Sequence, residues 1–175
     1  MAVPVKIIVV AHDPEWSKKF EAEVTIIREA LGPAVVGIHH IGSTAIPGIY
    51  AKPIIDMLVE ATSLEALDAA TPMLEAYGYE AKGEFGIPKR RYFRKDNSDG
   101  VREYQVHAFA ADSGEVDRHL AFRDYLRSHP AVAEDYSQLK RQLAAQHPED
   151  IESYMAGKDP FIKATERVAL ARRRA

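Results

Sequence analysis

The segment 38–60, IHHIGSTAIPGIYAKPIIDMLVE, constrains the fold of this chain more than any other. Two apolar runs, at 35–41 and 54–59, are typical of β-strands, and a Gly-Ser turn followed by a short helical turn lies between them. The second run contains one carboxylate, that of Asp56, among aliphatic side chains. Burying a charge without a partner is costly. We therefore predict that Asp56 faces a cleft, a cation or a metal ion.

Strand and helix patterns alternate through the rest of the first half. Val5 to Val10 predicts a first strand, and a helix is predicted to start with Asp13 as N-cap and Pro14 at the first helical position. A second helix is predicted from a capping box at 62–65, with a kink or a split at Pro72. The first helix ends at Gly32-Pro33 and carries an apolar stripe assigned to the core, made of Trp16, Phe20, Ile27 and Leu31.

The second half begins with a predicted β-hairpin and continues as helices. Strands at 90–95 and 101–110 flank a turn-rich DNSDG segment. In the second strand, the two-residue period places Glu103, Gln105 and His107 on one face. Four helices are then predicted: about 112–128 with a capping box at Asp112 and Glu115, one from Pro130, a short one from Pro148 closed by Gly157, and one from Asp159-Pro160.

The composition is typical of one globular domain. Apolar residues make up 46% of the 175 and charged residues 28%, which suits a single α+β domain over 1–175, with a sheet core at about 1–111 and C-terminal helices at about 112–175. The net charge of -3 argues against a protein that coats nucleic acid. Because cysteine, a membrane-spanning apolar run and a secretion signal are absent from the sequence, we expect a cytoplasmic protein.

Several enzyme classes find no support in the motifs. The sequence has no GxxxxGK[ST] loop, no GxGxxG after a strand, no GxSxG elbow and no HExxH pair. It therefore gives no basis for a P-loop kinase, a dinucleotide oxidoreductase, a serine hydrolase or a zincin.

The segment that holds Asp56 resembles a known group of proteins. A strand, Gly-Ser, a short helix and a second strand with an acidic residue resemble the opening of the nucleotidyltransferase superfamily, which has the DNA-polymerase-β-like fold. The sequence HIGSTAIPGIYAKPIIDMLV is more similar still to the GrpB family of bacterial proteins. The resemblance covers nearly the whole chain, through DPEW at 13–16, GIPKRRYFRK at 86–95, HLAFRDYLRSHP at 119–130 and GKDPFIK at 157–163.

This resemblance implies both a fold and a class of function. The implied fold is a mixed, mostly antiparallel sheet of about five strands backed by helices, with a C-terminal helical segment closing over it. The implied function is binding of a nucleotide or another phosphorylated small molecule, with transfer of a nucleotidyl group and a divalent cofactor, Mg²⁺ or Mn²⁺ rather than Zn²⁺. The alternative is a non-catalytic nucleotide-binding, metal-binding or chaperone-like module.

The alternative arises because one carboxylate of the superfamily pattern is missing. Asp56 matches the first metal-binding carboxylate, and the second is expected two residues later, where this chain has Leu58. Glu60 lies on the same strand face but about 13 Å from Asp56 at the usual strand rise. Glu103 or His107 on the hairpin is the remaining source of a second ligand.

A phosphate site is predicted beside Asp56. Gly42 and Ser43 allow close approach of a ligand at a helical N-terminus, and Lys52 with Arg90 and Arg91 supplies cations. The competing interpretation is that the hairpin cations form a solvated strand face, and we prefer it for the neighbouring lysines of the hairpin.

Histidines provide a further candidate site. His40 and His107 with Asp56 could hold a metal ion, and Asp56 and His107 are also the candidate catalytic pair. We predict that Asp56 and His107 lie on adjacent strands and face one cleft, and that Asp56→Asn removes ligand binding but leaves the fold. Structural roles remain the alternative for His40 and His107, and a structural role is preferred for His39. The other histidines, His12, His119, His129 and His147, are given no role.

Overall fold

A five-stranded open sheet forms the centre of the structure, a computed structural model that describes residues 4–175. The strand order is β1-β2-β5-β4-β3. Neighbouring strands run antiparallel except for β2 and β5, which run parallel. The expected mixed, mostly antiparallel sheet is therefore confirmed. The strands are β1 Val35–Ile41, β2 Ile55–Ala61, β3 Glu80–Ala81, β4 Arg91–Asp96 and β5 Arg102–Ala110.

Five helices cover the two faces of this sheet. Helices α1 and α2 pack on one face and enclose the larger core, in which Trp16 is buried as predicted. The other face packs on α3 through Leu58, Phe109 and Leu120. The C-terminal helices therefore close over the second face, as expected. The helices are α1 Glu15–Leu31, α2 Leu64–Ala76, α3 Gly114–Ser128, α4 Pro130–Gln146 and α5 Ile151–Arg174.

Helix α1 starts one residue later than predicted, at Glu15 with Pro14 as N-cap, and α2 differs from its prediction at the N-cap and at Pro72. The Asp13 carboxylate accepts a hydrogen bond of 2.9 Å from the Glu15 backbone N–H, ahead of the first turn of α1. Helix α2 is capped by Ser63, whose hydroxyl accepts from the Ala66 N–H. It is not split at Pro72, because the helix packs into the core on both sides of the proline, through Leu67 and Leu74.

The predicted first strand at Val5 to Val10 is wrong. In this segment only Val10 makes a strand-like pair, a single bridge to Ala51, and the Ile7 N–H donates to the Pro148 carbonyl. Pro53 lies two residues after Ala51, at the next hydrogen-bonding position, and has no N–H to donate, so a ladder cannot extend in that direction. The segment is an extended connection along the C-terminal helices.

Two predictions for the C-terminal helices are also wrong. Ser113, not Asp112, caps α3. A single helix, α5, replaces the two predicted around Gly157 and Pro160. Gly157 lies within α5 and faces Leu143 of α4, where a β-carbon would collide with the leucine side chain. The glycine therefore allows close packing of two helices and does not end one. None of the helices in the described range is long and apolar enough to cross a bilayer.

Candidate functional site

A cavity of about 300 Å³ lies between the second face of the sheet and the C-terminal helices. Its walls combine one end of β2 and β5, the Gly-Ser turn after β1, and side chains of α3, α4 and α5. The sheet and its turns contribute Gly42, Ser43, Thr44, Lys52, Asp56, Gln105 and His107. The helices contribute Arg118, His119, Phe122, Tyr136, Lys140, Tyr154, Lys158 and Glu166.

The Gly-Ser turn brings the backbone against the Asp56 carboxylate. Gly42 has a φ of 72°, and a β-carbon there would lie 2.7 Å from Oδ2 of Asp56. Only glycine fits both the conformation and the space. A 3₁₀ turn at Ser43–Ala45 follows, close to the predicted helical turn, and Gly42 and Ser43 line the cavity as expected.

Asp56 and His107 form a hydrogen-bonded pair on neighbouring parallel strands. The His107 Nε2 lies 3.2 Å from Oδ1 of Asp56, and Nη1 of Arg90 lies 3.3 Å from the other ring nitrogen, Nδ1. A guanidinium only donates, so Nδ1 accepts and Nε2 carries the proton that is donated to Asp56. The predicted geometry, adjacent strands facing one cleft, is confirmed. In this arrangement both ring nitrogens of His107 are already engaged.

The two predicted phosphate-binding arginines contact protein groups. Arg90 is buried and donates to the backbone carbonyls of Glu84 and Phe85 at 3.2 and 2.9 Å, besides its contact with His107. Arg91 makes two hydrogen bonds, of 2.7 and 3.1 Å, to the Asp68 carboxylate on α2. Neither arginine lines the cavity. Of the predicted cations, the structure brings only Lys52 to the candidate site.

His40 points to the opposite face of the sheet from Asp56. In the β1–β2 register His40 pairs with Met57, and both side chains lie on the face that packs on α1. The ring of His40 stacks on Phe20, with 4.8 Å between the ring centres. Its Nε2 lies 2.9 Å from the Thr44 hydroxyl. Burial, reinforced by the charge of Arg127, lowers the pKa of His40 to about 4. The structure therefore does not unite His40 with Asp56 and His107.

The cavity instead gathers three lysines, Lys52, Lys140 and Lys158, which we call the lysine trio. Lys140 is 1% exposed, and its ammonium nitrogen has no hydrogen-bond partner among the described residues. It lies 4.5 Å from the ring centre of Tyr136, and the Lys158 ammonium lies 4.7 Å from that of Tyr154. These rings give each cation partial compensation.

Burial lowers the pKa values of all three lysines of the trio, and repulsion by neighbouring lysines lowers those of Lys140 and Lys158 further. For Lys140 the pKa falls to about 7, first through burial and then through the charges of Lys158 and Lys52. For Lys158 it falls to about 8, through burial and the charge of Lys52, against the opposing effect of Asp56. The pKa of Lys52 is lowered in the same way by burial and raised by Asp56. The charges of the trio are thus coupled to one another and to the carboxylate of Asp56.

A different set of groups, from α3 and α5, forms another part of the wall. The Nδ1 of His119 lies 2.8 Å from the Glu115 carbonyl, which fixes Nδ1 as the donor and leaves the lone pair on Nε2. Burial lowers the pKa of His119 to about 4, so the ring is neutral at pH 7. Arg118 donates to Glu166 at 2.7 Å, so this carboxylate is already paired.

Sequence reasoning missed Lys140, Lys158 and His119. The burial of Lys140 could have been predicted, because its spacing from Tyr136 and Leu143 places it on the buried face of α4. Lys158 lies in the GKDPFIK motif, which the resemblance had singled out without giving it a role. His119 begins the HLAFRDYLRSHP motif, which the resemblance had also singled out without giving it a role.

Comparison with known proteins identifies the family. A family model described as GrpB protein matches residues 6–167. The chain belongs to the GrpB family. UPF0157 protein YqkA of Bacillus subtilis is 45% identical to this GrpB chain over 92% of its length. The chain covers 46% of YqkA, so it spans about half the length of that relative.

Solved structures agree with the family and place it in a wider fold group. The crystal structure of conserved protein GrpB from Enterococcus faecalis matches with a TM-score of 0.91 and 43% identity, over 96% of this chain and 100% of that one. The Cid1 poly(U) polymerase, solved with MgGTP bound, matches with a TM-score of 0.55 and 14% identity, over 77% of this chain and 44% of that one. The GrpB fold is therefore nucleotidyltransferase-like.

The fold group implies divalent metal, but the acidic groups of this GrpB chain do not fit a metal pair. At the second carboxylate position Leu58 is fully buried against α3, and Glu60 binds His39 at 2.9 Å. Within residues 4–175, no three histidine or acidic side chains converge on one point that could hold a metal ion. Asp56 is left as a single carboxylate beside His107, where phosphoryl transfer commonly uses two.

Proposed function

We propose that this GrpB protein binds a nucleotide or another phosphorylated small molecule, with the phosphate on the lysine trio. The observation that carries the proposal is the convergence of three ammonium groups, from three separate segments of the chain, in one cavity. Gly42, Ser43 and Lys52 remain in the proposed phosphate site. Arg90 and Arg91 do not, because their guanidinium groups bind protein oxygens.

The electrostatics of the three clustered lysines support an anionic ligand. A buried ammonium without a hydrogen-bond partner is destabilising, and two like charges nearby add to the cost. A phosphate group accepts several charge-assisted hydrogen bonds and neutralises the repulsion in one step. Proteins retain such costly groups chiefly where binding or catalysis uses them.

In this proposal the protein's own cations neutralise the phosphate, the task that a divalent metal performs in phosphoryl transfer. The cavity volume of about 300 Å³ is at the lower end for small-molecule sites, which suits a ligand no larger than a mononucleotide. The proposal therefore favours a binding module that needs no metal.

Nucleotidyl transfer is the second candidate function. It is favoured by the position of Asp56, on the strand that follows a Gly-Ser turn, in a nucleotidyltransferase-like fold. It requires a second acidic ligand, which the position of Leu58 does not supply. The two candidates differ in one respect that is easily measured, the dependence of ligand binding on Mg²⁺ or Mn²⁺.

Thermal shift of the full chain with a panel of nucleotides distinguishes the metal-free binding module from the nucleotidyltransferase. Stabilisation by nucleoside monophosphates in EDTA, unchanged on adding Mg²⁺, is the expected result. Stabilisation that appears only with Mg²⁺ or Mn²⁺ would replace the proposal with the transferase. Melting temperatures that no nucleotide or phosphate ester changes would remove both.

A further inference from the structure

The wall around β5 and α3 differs in chemistry from the lysine trio. Asp56, His119 and Gln105 line the cavity there, and the first two present hydrogen-bond acceptors. The His119 Nε2 has a free lone pair because Nδ1 donates to the Glu115 carbonyl. Asp56 uses one lone pair for His107 and keeps others. Asp56 and His119 line the same cavity, and the ring of His107, which is hydrogen-bonded to Asp56, lies 6.2 Å from the ring of His119.

Neither acceptor is prepared for a negative ligand group. A carboxylate repels phosphate, and a neutral imidazole nitrogen that carries a lone pair cannot donate to a phosphate oxygen. Both groups are complementary to hydroxyl or amino donors. The cavity therefore offers both cations for an anion and acceptors for hydrogen-bond donors.

We infer that the ligand is a hydroxylated phosphate ester, a sugar phosphate or nucleoside phosphate, whose hydroxyl groups donate to His119 Nε2 and to the Asp56 carboxylate. This inference rests on the proposed binding of phosphate to the lysine trio and adds the identity of the other end of the ligand. His119 acts as the specificity-determining residue.

The site is expected to discriminate between hydroxylated and alkyl phosphates, because burying a hydrogen-bond acceptor without a donor costs free energy. An alkyl phosphate of the same length would cover the acceptors with methylene groups and leave them without donors. Sites built to hydrogen-bond a ligand hydroxyl reject analogues that lack it far more strongly than apolar pockets reject a change of size. The chain is therefore expected to prefer a phosphorylated sugar over the matching alkyl phosphate by about tenfold or more.

Calorimetric titration with ribose 5-phosphate and pentyl phosphate tests the inference, because both carry one phosphate on five carbons and only the first carries hydroxyls. In the wild-type chain ribose 5-phosphate is expected to bind about tenfold more tightly. His119→Phe is expected to bring the two affinities together while affinity for inorganic phosphate is retained. His119→Gln, which keeps a side-chain acceptor, is expected to restore part of the preference.

The outcomes separate this inference from the proposed function. Equal binding of both esters by the wild-type chain would overturn the inference and leave the phosphate site intact. A preference unchanged in both His119 variants, with the fold verified by circular dichroism, would also overturn it. Failure of inorganic phosphate and both esters to bind would instead remove the phosphate site itself, and the inference with it.

Discussion

Lys140 illustrates at the residue scale how binding and stability oppose each other. Its ammonium group is buried over Tyr136, lacks a hydrogen-bond partner and faces two other lysines. The cost falls on the empty protein and is relieved when an anion binds. An apolar side chain of similar length would remove that cost and the binding together.

Lys140→Met is therefore expected to stabilise the ligand-free protein and to weaken phosphate binding. Replacing buried ionic groups by well-packed apolar side chains is often neutral or stabilising by roughly 1–4 kcal/mol, and a gain in that range raises the melting temperature by several degrees at this chain length. Lys163→Met is the matched control, because Lys163 is on the surface of α5, where it pairs with Asp159. Differential scanning calorimetry of wild type and the two variants measures the melting temperatures. A Lys140→Met variant that melts below wild type would contradict the expected stabilisation.

The gain in stability of Lys140→Met over wild type should depend on pH. The pKa of Lys140 is about 7 in the folded protein, against the usual 10.5 for lysine. Between these values the unfolded chain holds a proton that the folded chain has lost, so wild-type stability rises with pH across this window. The difference between variant and wild type is expected to be largest below pH 7 and to shrink towards pH 10. Urea unfolding at several pH values measures it, and a difference that grows with pH would contradict the lowered pKa.

Asp56→Asn distinguishes a metal site from a cation site. The amide oxygen still accepts from His107, so the fold is expected to persist. Because the lysine trio and not a metal holds the phosphate in the present account, removing the negative charge should retain or tighten binding of inorganic phosphate. This replaces the expectation from sequence that the substitution removes binding. Complete loss of phosphate binding in a folded Asp56→Asn protein would point back to a metal.

The sequence predicted the positions of some site residues and not of others. The apolar strand around Asp56 was enough to predict a compensated carboxylate, and the period of two placed His107 correctly beside it. The same period applied to β1 could not reveal that His40 faces the other side of the sheet, because that depends on the register with β2. Arg90 and Arg91 looked equally available in sequence, and tertiary partners engaged both.

The element that most shapes the cavity is α5, which carries Tyr154, Lys158 and Glu166 to it. Its position depends on Gly157, which lets α5 approach Leu143 of α4. Sequence rules predicted a helix break at Gly157 and Pro160, because both residues disfavour helix interiors. Packing against α4 outweighs that local preference. The hairpin of β4 and β5 was predicted correctly, because its strand and turn patterns are local in the sequence.

Gly157→Ala is expected to destabilise the protein, although alanine favours helices by roughly 1 kcal/mol over glycine. The added methyl group meets the Leu143 side chain, so α5 must shift or the leucine must change rotamer. Gly114→Ala is the matched control, since that position in α3 has open space and ordinary φ, and it should be neutral or stabilising. Chemical denaturation of both variants compares them. A Gly157→Ala protein as stable as the control would show that close packing of α5 is not required.

On the scale of the whole molecule, the cavity draws its cations from positions far apart in the chain, 52, 140 and 158. The family resemblance was sufficient to predict the sheet, its mixed direction and the covering helices. It could not predict the lysine trio, because a cluster assembled from three elements leaves no local pattern. The replacement of a carboxylate by Leu58 was visible in sequence, and the compensating cations became visible only in the folded chain.

The central claim is that the lysine trio holds a phosphate group without a metal ion. Its most direct test is calorimetric titration of AMP in EDTA into the wild-type protein, Lys158→Met and the surface control Lys163→Met. We expect equal affinity for wild type and Lys163→Met, and a loss of about tenfold or more in Lys158→Met, corresponding to about 1.4 kcal/mol. We also expect no gain in affinity on adding Mg²⁺. Equal affinity in all three proteins, or binding that appears only with Mg²⁺, would contradict the claim.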